Sequence, residues 1–113
     1  MSVLLTIDVA HPPRNAGRVE SELLEAWSRV RNSGTLRVLK IIHGHGSSGR
    51  GGSTKVVVRN WTFRNRGRFK AVIEGELYSR FDVNVQEMRL ESGLFDDSDI
   101  ENGNPGITLI WVK

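Results

Sequence analysis

The chain has 113 residues, 38% of them hydrophobic and 26% charged, with a net charge of +3. That length fits a single domain spanning 1–113 with a real core, and the composition excludes a disordered chain. There is no cysteine, so disulfides, thiolate zinc sites and a thiol nucleophile are excluded. No apolar run reaches the roughly 20 residues of a membrane span and no basic-then-apolar leader opens the chain, so a cytoplasmic address without a membrane partner is expected.

Residues 3–9 (VLLTIDV) form a short apolar run before His-Pro-Pro, which suits a buried central strand. Val19, Leu23, Trp27 and Val30 then recur at helical spacing. Asn15 is the predicted cap, Arg29 and Arg31 fall in the last turn, and Asn32-Ser33-Gly34 is the stop. Residues 36–42 (LRVLKII) again read as a buried strand. Strand, helix and strand with short connections predict a βαβ unit with parallel strands. Residues 55–63 (KVVVRNWTF) carry both signals: three valines and the aromatics lean to strand, while Val57 and Trp61 keep helical spacing. Residues 69–73 read as a short strand. The stretch 75–106 is long for a connection, so it should carry a helix of its own over 84–91, capped by Asp82 or Asn84 and stopped at Gly93. Residues 107–112 (ITLIWV) read as a final buried strand.

Parallel strands of a βαβ unit end on one edge of the sheet, where open α/β folds bind their ligands. The two predicted ends carry Asp8 and His11 on one side and His43 and His45 on the other, which brings all three histidines to that edge. Imidazole titrates near neutrality, so these histidines are candidates for proton transfer in phosphodiester cleavage, with Asp8 orienting one of them. The plainer readings are a strand-end carboxylate capping a turn for Asp8, and a loop residue held by Pro12-Pro13 for His11.

Residues 44–52 hold five glycines and two serines. Gly44-His45-Gly46-Ser47-Ser48-Gly49 matches G-x-G-x-x-G, yet no helix opens directly after it and no acid follows about 20 residues on. Arg50-Gly51 stands where a P-loop needs Lys-Ser/Thr. The general property remains: glycines let backbone N–H groups approach an anion, and Arg50 and Lys55 are placed to contact phosphate. The charge pattern points the same way. Between 44 and 73 there is no acid and there are seven cations: Arg50, Lys55, Arg59, Arg64, Arg66, Arg68 and Lys70. From 74 to 101 nine acids face two arginines. The cationic block is either a footprint for a polyanion or a face that pairs with the acidic half of the same molecule. Asp97-Ser98-Asp99-Ile100-Glu101 resembles the start of a calcium loop, but Asn102 and Thr108 occupy the glycine and glutamate positions, so it reads as a solvated acidic turn. Trp27, Trp61 and Trp111 sit in periodic apolar segments and read as core.

The run 36–46 (LRVLKIIHGHG), followed by the Gly/Ser loop, closely resembles the second signature of the Smr (small MutS-related) domain, a strand-loop of the form I-I-H-G-x-G. The closing strand and the order of elements are similar over nearly the whole chain. The family's first signature, L-D-x-H-G, is met in part: Asp8 holds the acid position, Ala10 stands at the histidine position and His11 follows one residue later. Asp8, His43, Gly44 and Gly46 match the family pattern directly. The resemblance implies an α/β fold, a two-layer β-α-β-α-β-β sandwich like the C-terminal domain of translation initiation factor three, with the acidic insertion 75–104 as an addition. It also implies a helix over 53–65, with the glycine loop at its amino end. Family members bind branched DNA or RNA and several nick or cleave it.

The resulting expectation is a monomeric nucleic-acid-binding domain that contacts DNA or RNA through Gly44, Gly46, Ser47, Ser48, Arg50, Lys55 and Arg59. If it is an endonuclease, Asp8, His11, His43 and His45 are its catalytic candidates and Mg²⁺ or Mn²⁺ its candidate cofactor. A non-catalytic module docking on a protein or on the ribosome is the second reading, and a nucleotide binder the third.

Overall fold

The structure, a computed structural model, describes residues 2–45 and 50–113, the side chains of 50–52 excepted. The elements run β1 (Leu4–Asp8), α1 (Ala16–Asn32), β2 (Val38–Ile42), α2 (Arg50–Arg64), β3 (Phe69–Glu74), α3 (Val83–Ser92) and β4 (Ile107–Val112). They build an α/β fold around one mixed sheet of order β1-β2-β4-β3. β1 and β2 are parallel, and β4 runs antiparallel to both β2 and β3. The carboxyl ends of β1, β2 and β3 therefore meet the amino end of β4 along one edge. One expectation is corrected: β1 is an edge strand that pairs only with β2 among the described residues, and its side chains are partly buried or exposed. The apolar run at 3–9 reflects packing on both faces, not pairing on both sides.

Local chemistry explains the helices. Asn15 caps α1 by accepting the Arg18 amide at 2.8 Å, and Val19, Leu23, Ala26 and Val30 form its buried stripe. Asp82 caps α3 through the Val85 amide, and Gly93 ends it. α2 corrects the strand propensity of its valines. Thr54, Lys55, Val58, Trp61 and Thr62 are all buried, and that spacing is a helical face. Two threonines and a lysine on the inner face blur the apolar period. The helix also begins at Arg50, ahead of the start at 53 that the resemblance implies, which corrects the expectation that no helix opens directly after the G-x-G-x-x-G run.

Alternate strand residues serve the two faces of the sheet. Leu39, Ile41, Ile110 and Val112 join the helices α1 and α2 in one core, with the Trp61 and Phe69 rings 5.8 Å apart. Val38, Leu109, Trp111 and Ile73 pack on the opposite side against Tyr78, Val85, Met88 and Leu94. Each fully buried aliphatic chain is worth about 1.5–3 kcal/mol. The implied two layers thus become three, because residues 75–104 cover the face that a two-layer sandwich leaves open.

That insertion has a polar centre. Lys40 alternates onto its side of β2, is 5% exposed, and donates to Asp97 at 2.5 Å and Asp99 at 2.6 Å. Tyr78 donates its hydroxyl to Asp97 at 2.9 Å. Burial, with Asp97 beside it, pushes the Tyr78 pKa well above its ordinary value, so the phenol stays a donor. The turn expected to be solvated is instead clamped on an ammonium group, and the Asp97 side chain is 6% exposed. A lysine takes the place that the calcium-like spacing suggests for a metal. Gly75 starts the insertion where nothing larger fits: a Cβ there would collide with the Asn104 carbonyl and with Ile107.

Candidate functional site

At the end of β1 the chain turns sharply on Asp8. Its Oδ1 accepts the Ala10 amide at 2.8 Å and the His11 amide at 3.0 Å, and its Oδ2 lies 3.0 Å from His11 Nδ1. The turn-capping carboxylate and the imidazole-orienting carboxylate are one group doing both jobs. Burial alone would raise the Asp8 pKa, but the Ala10 amide, the His11 ring and the His11 amide together hold it below its ordinary value. Asp8 is thus ionised around neutrality, fixing the proton of His11 on Nδ1. The His11 side chain is 72% exposed. Among the described residues its Nε2 has no hydrogen-bond partner, its ring contacts being made through Nδ1. Ala10, which stands where the resemblance expects a histidine, is buried.

Arg14 braces this turn. It donates to the Asp8 carbonyl at 3.0 Å, to the Pro12 carbonyl at 3.1 Å and to Glu22 of α1 at 2.7 Å. Arg14 is not among the residues that the sequence singles out. Its available signal was an arginine three residues beyond the histidine with a glutamate in the following helix, a common surface pattern.

The end of β2 is built differently. His43 is fully buried. Its Nδ1 lies 2.7 Å from the Gly44 carbonyl, so it carries the proton and donates, and its Nε2 accepts from the Thr108 hydroxyl at 2.9 Å. The His43 and Gly44 amides both donate to the Gly106 carbonyl. Burial pushes the His43 pKa below 6.5, with Lys55 and Arg59 adding to the effect against the Gly44 carbonyl and Glu74. His43 is therefore neutral, saturated with hydrogen bonds, and out of reach of a ligand. Gly44 takes φ +74°, the left-handed backbone that lets the chain turn away there. His45 is exposed. Gly46, Ser47 and Ser48 lie outside the described residues, as does the Arg50 side chain.

The turn after β1 thus brings Asp8 and His11 together at the surface, and the first turns of α2 stand at the same sheet edge, where Lys55 reaches the Pro105 carbonyl just before β4. The strands do not bring His43 into that pair. Lys55 is also withdrawn: it is buried, donates to the Pro105 carbonyl at 2.8 Å, and lies 3.4 Å from Glu76. Much of the cationic block is internally paired. Arg59 lies 3.7 Å from Glu74, Arg64 2.9 Å from Glu20 and Lys70 3.7 Å from Glu91. Arg66 and Arg68 stack on Phe63 and Trp27. Exposed pairs of this kind are weak and open to competition by phosphate.

Among the described residues no three His, Asp or Glu side chains converge to hold a metal. Asp8 commits both oxygens to the turn and to His11, so these donors do not fit a Mg²⁺ or Mn²⁺ site. Among them, too, no helix is long and apolar enough to cross a membrane. No family model matches the chain, and neither a curated protein nor a solved structure is significantly similar to it.

Proposed function

We propose that the chain binds nucleic acid along the edge where β1 and β2 end, and that Asp8 and His11 carry proton transfer in phosphodiester cleavage. The exposed carboxylate–imidazole pair at 3.0 Å is the observation that carries this reading. His11 Nε2 takes the proton of the attacking water as its oxygen bonds to phosphorus. Asp8 holds the Nδ1 proton and stabilises the imidazolium that results. The leaving oxygen departs with the electrons of the broken P–O bond and takes a proton from His11 or from solvent. Backbone N–H groups at the start of α2, whose first turn contains no acid, favour the phosphate charge. Half-exposed Arg59 adds a cation that phosphate draws away from Glu74. His43 takes no part in proton transfer in this scheme and serves stability, holding the end of β2 against β4.

A panel of single-stranded, duplex and branched DNA and RNA tests the proposal, read by gel shift and by cleavage with and without Mg²⁺ or Mn²⁺. Binding should weaken steeply as salt rises, through counterion release. His11→Ala should retain binding and lose cleavage. Absent or salt-insensitive binding defeats the proposal, and undiminished cleavage by His11→Ala removes the pair from the mechanism.

A second reading has its own support. Leu77, Phe81, Val83, Leu90 and Phe95 are exposed and all belong to the insertion, a placement that suits docking on a protein or on the ribosome. A stoichiometric protein partner lost on Phe81→Ser, together with no nuclease activity, favours it over the first.

A further inference from the structure

We propose that Phe63 and Arg66, at the carboxyl end of α2, form a base-stacking shelf for single-stranded nucleic acid. This deepens the nucleic-acid reading above and rests on it. Phe63 is 65% exposed and stands as a ridge between two grooves. One, of about 520 Å³, runs toward edge strand β3 past Arg59, Asn60, Arg66 and Val72 to Glu74, the acid that pairs with Arg59. The other, of similar volume, runs toward α1 past Ala16, Val57 and Arg64 to Glu20, the acid that pairs with Arg64. The Arg66 guanidinium lies 4.1 Å from the centre of the Phe63 ring, and its Nη1 donates to the Phe63 carbonyl at 2.6 Å. Among the described residues Arg66 has no carboxylate partner, in contrast to Arg59 and Arg64.

A partner for this place must offer a flat face to the ring, negative charge to the guanidinium, and hydrogen-bonding edges to exposed Asn60. An unpaired nucleotide offers all three. An aliphatic peptide leaves the cations unmet, and a simple anion leaves the ring in water. Bases inside a duplex are already stacked on one another, so the shelf selects single strands. The distance from Arg50 to Phe63 along α2 is roughly 20 Å at the α-helical rise. Arg59 lies between them, so a strand held at the sheet edge can continue along the helix to the shelf.

The test is anisotropy of a labelled oligothymidine and a labelled duplex with the wild-type chain, Phe63→Ala and Phe63→Trp, each repeated over a salt series. Because Phe63 is exposed, both variants should melt as the wild type does. Phe63→Ala should weaken oligothymidine binding about 5-fold or more with an unchanged salt slope. Its duplex binding should not move, and Phe63→Trp should restore the single-strand affinity. If the wild type binds and Phe63→Ala binds oligothymidine equally well, the shelf is wrong while nucleic-acid binding stands. Equal losses on single strand and duplex also overturn it. If the wild type binds neither probe, the nucleic-acid reading fails and the shelf with it.

Discussion

The ends of β1 and β2 lie side by side at one sheet edge, each carries a histidine, and the two histidines do opposite things. His43 sits in the stretch with the stronger motif likeness, yet it is fully buried and bonded through both ring nitrogens to Gly44 and Thr108. His11 sits in the imperfect motif, yet it is exposed, oriented by an ionised carboxylate, and has an Nε2 without a hydrogen-bond partner among the described residues. Likeness of sequence marks where the backbone must turn. Availability of a proton-accepting atom marks where chemistry can occur, and here the two separate.

The largest expected effect breaks the β1 side of this comparison. His11→Ala should cost about 10²–10⁴-fold in cleavage, with a stability change within about 0.5 kcal/mol, read by single-turnover cleavage and thermal melting. Asp8→Asn should cost cleavage nearly as much, because the amide no longer stabilises the imidazolium, while its oxygen still accepts the turn amides. On the β2 side the sign of the comparison inverts. His43→Ala removes a buried ring and leaves the Thr108 hydroxyl only its 3.4 Å contact with Glu74, so it should cost about 3 kcal/mol of stability. Any loss of activity should track the unfolded fraction in denaturant titrations.

Most of the architecture was legible because each element combined a period with a stop. Asn15 and Ser33 bracket the α1 stripe, and Asp82 and Gly93 bracket α3. α2 was illegible from propensity because Thr54, Lys55 and Thr62 share its inner face with Val58 and Trp61. The edge position of β1 was hidden because strand order is settled by long-range pairing. The acidity of the insertion had no visible cause, since its counter-charge, Lys40, lies 57 residues before Asp97. At the site, the convergence of Asp8, His11 and His43 on one edge followed from βαβ geometry. Which of them reaches solvent depends on whether a side chain faces the α1/α2 core, and Thr108, the partner that holds His43 inside, comes from the last strand.

Smaller effects sharpen the contrast. Thr108→Val should cost about 1 kcal/mol, since His43 Nε2 then loses its donor, and it should leave His11-dependent cleavage intact when corrected for folding. The pH dependence of stability should also report His43. Its folded pKa lies below 6.5, so between those two values the unfolded chain binds a proton that the folded chain does not. Stability is therefore full above pH 6.5 and declines as pH falls, until folded His43 itself protonates. Melting curves across that window should show this slope in the wild type and a shallower one in His43→Asn. An unchanged slope removes His43 as its source.

The most direct measurement sets the two histidines side by side: cleavage of one bound substrate by wild type, His11→Ala and His43→Asn under conditions where melting shows all three folded. His11→Ala should bind the substrate and not cut it, while folded His43→Asn should cut it at close to the wild-type rate. Cleavage that survives in His11→Ala and disappears in folded His43→Asn would contradict this assignment of roles.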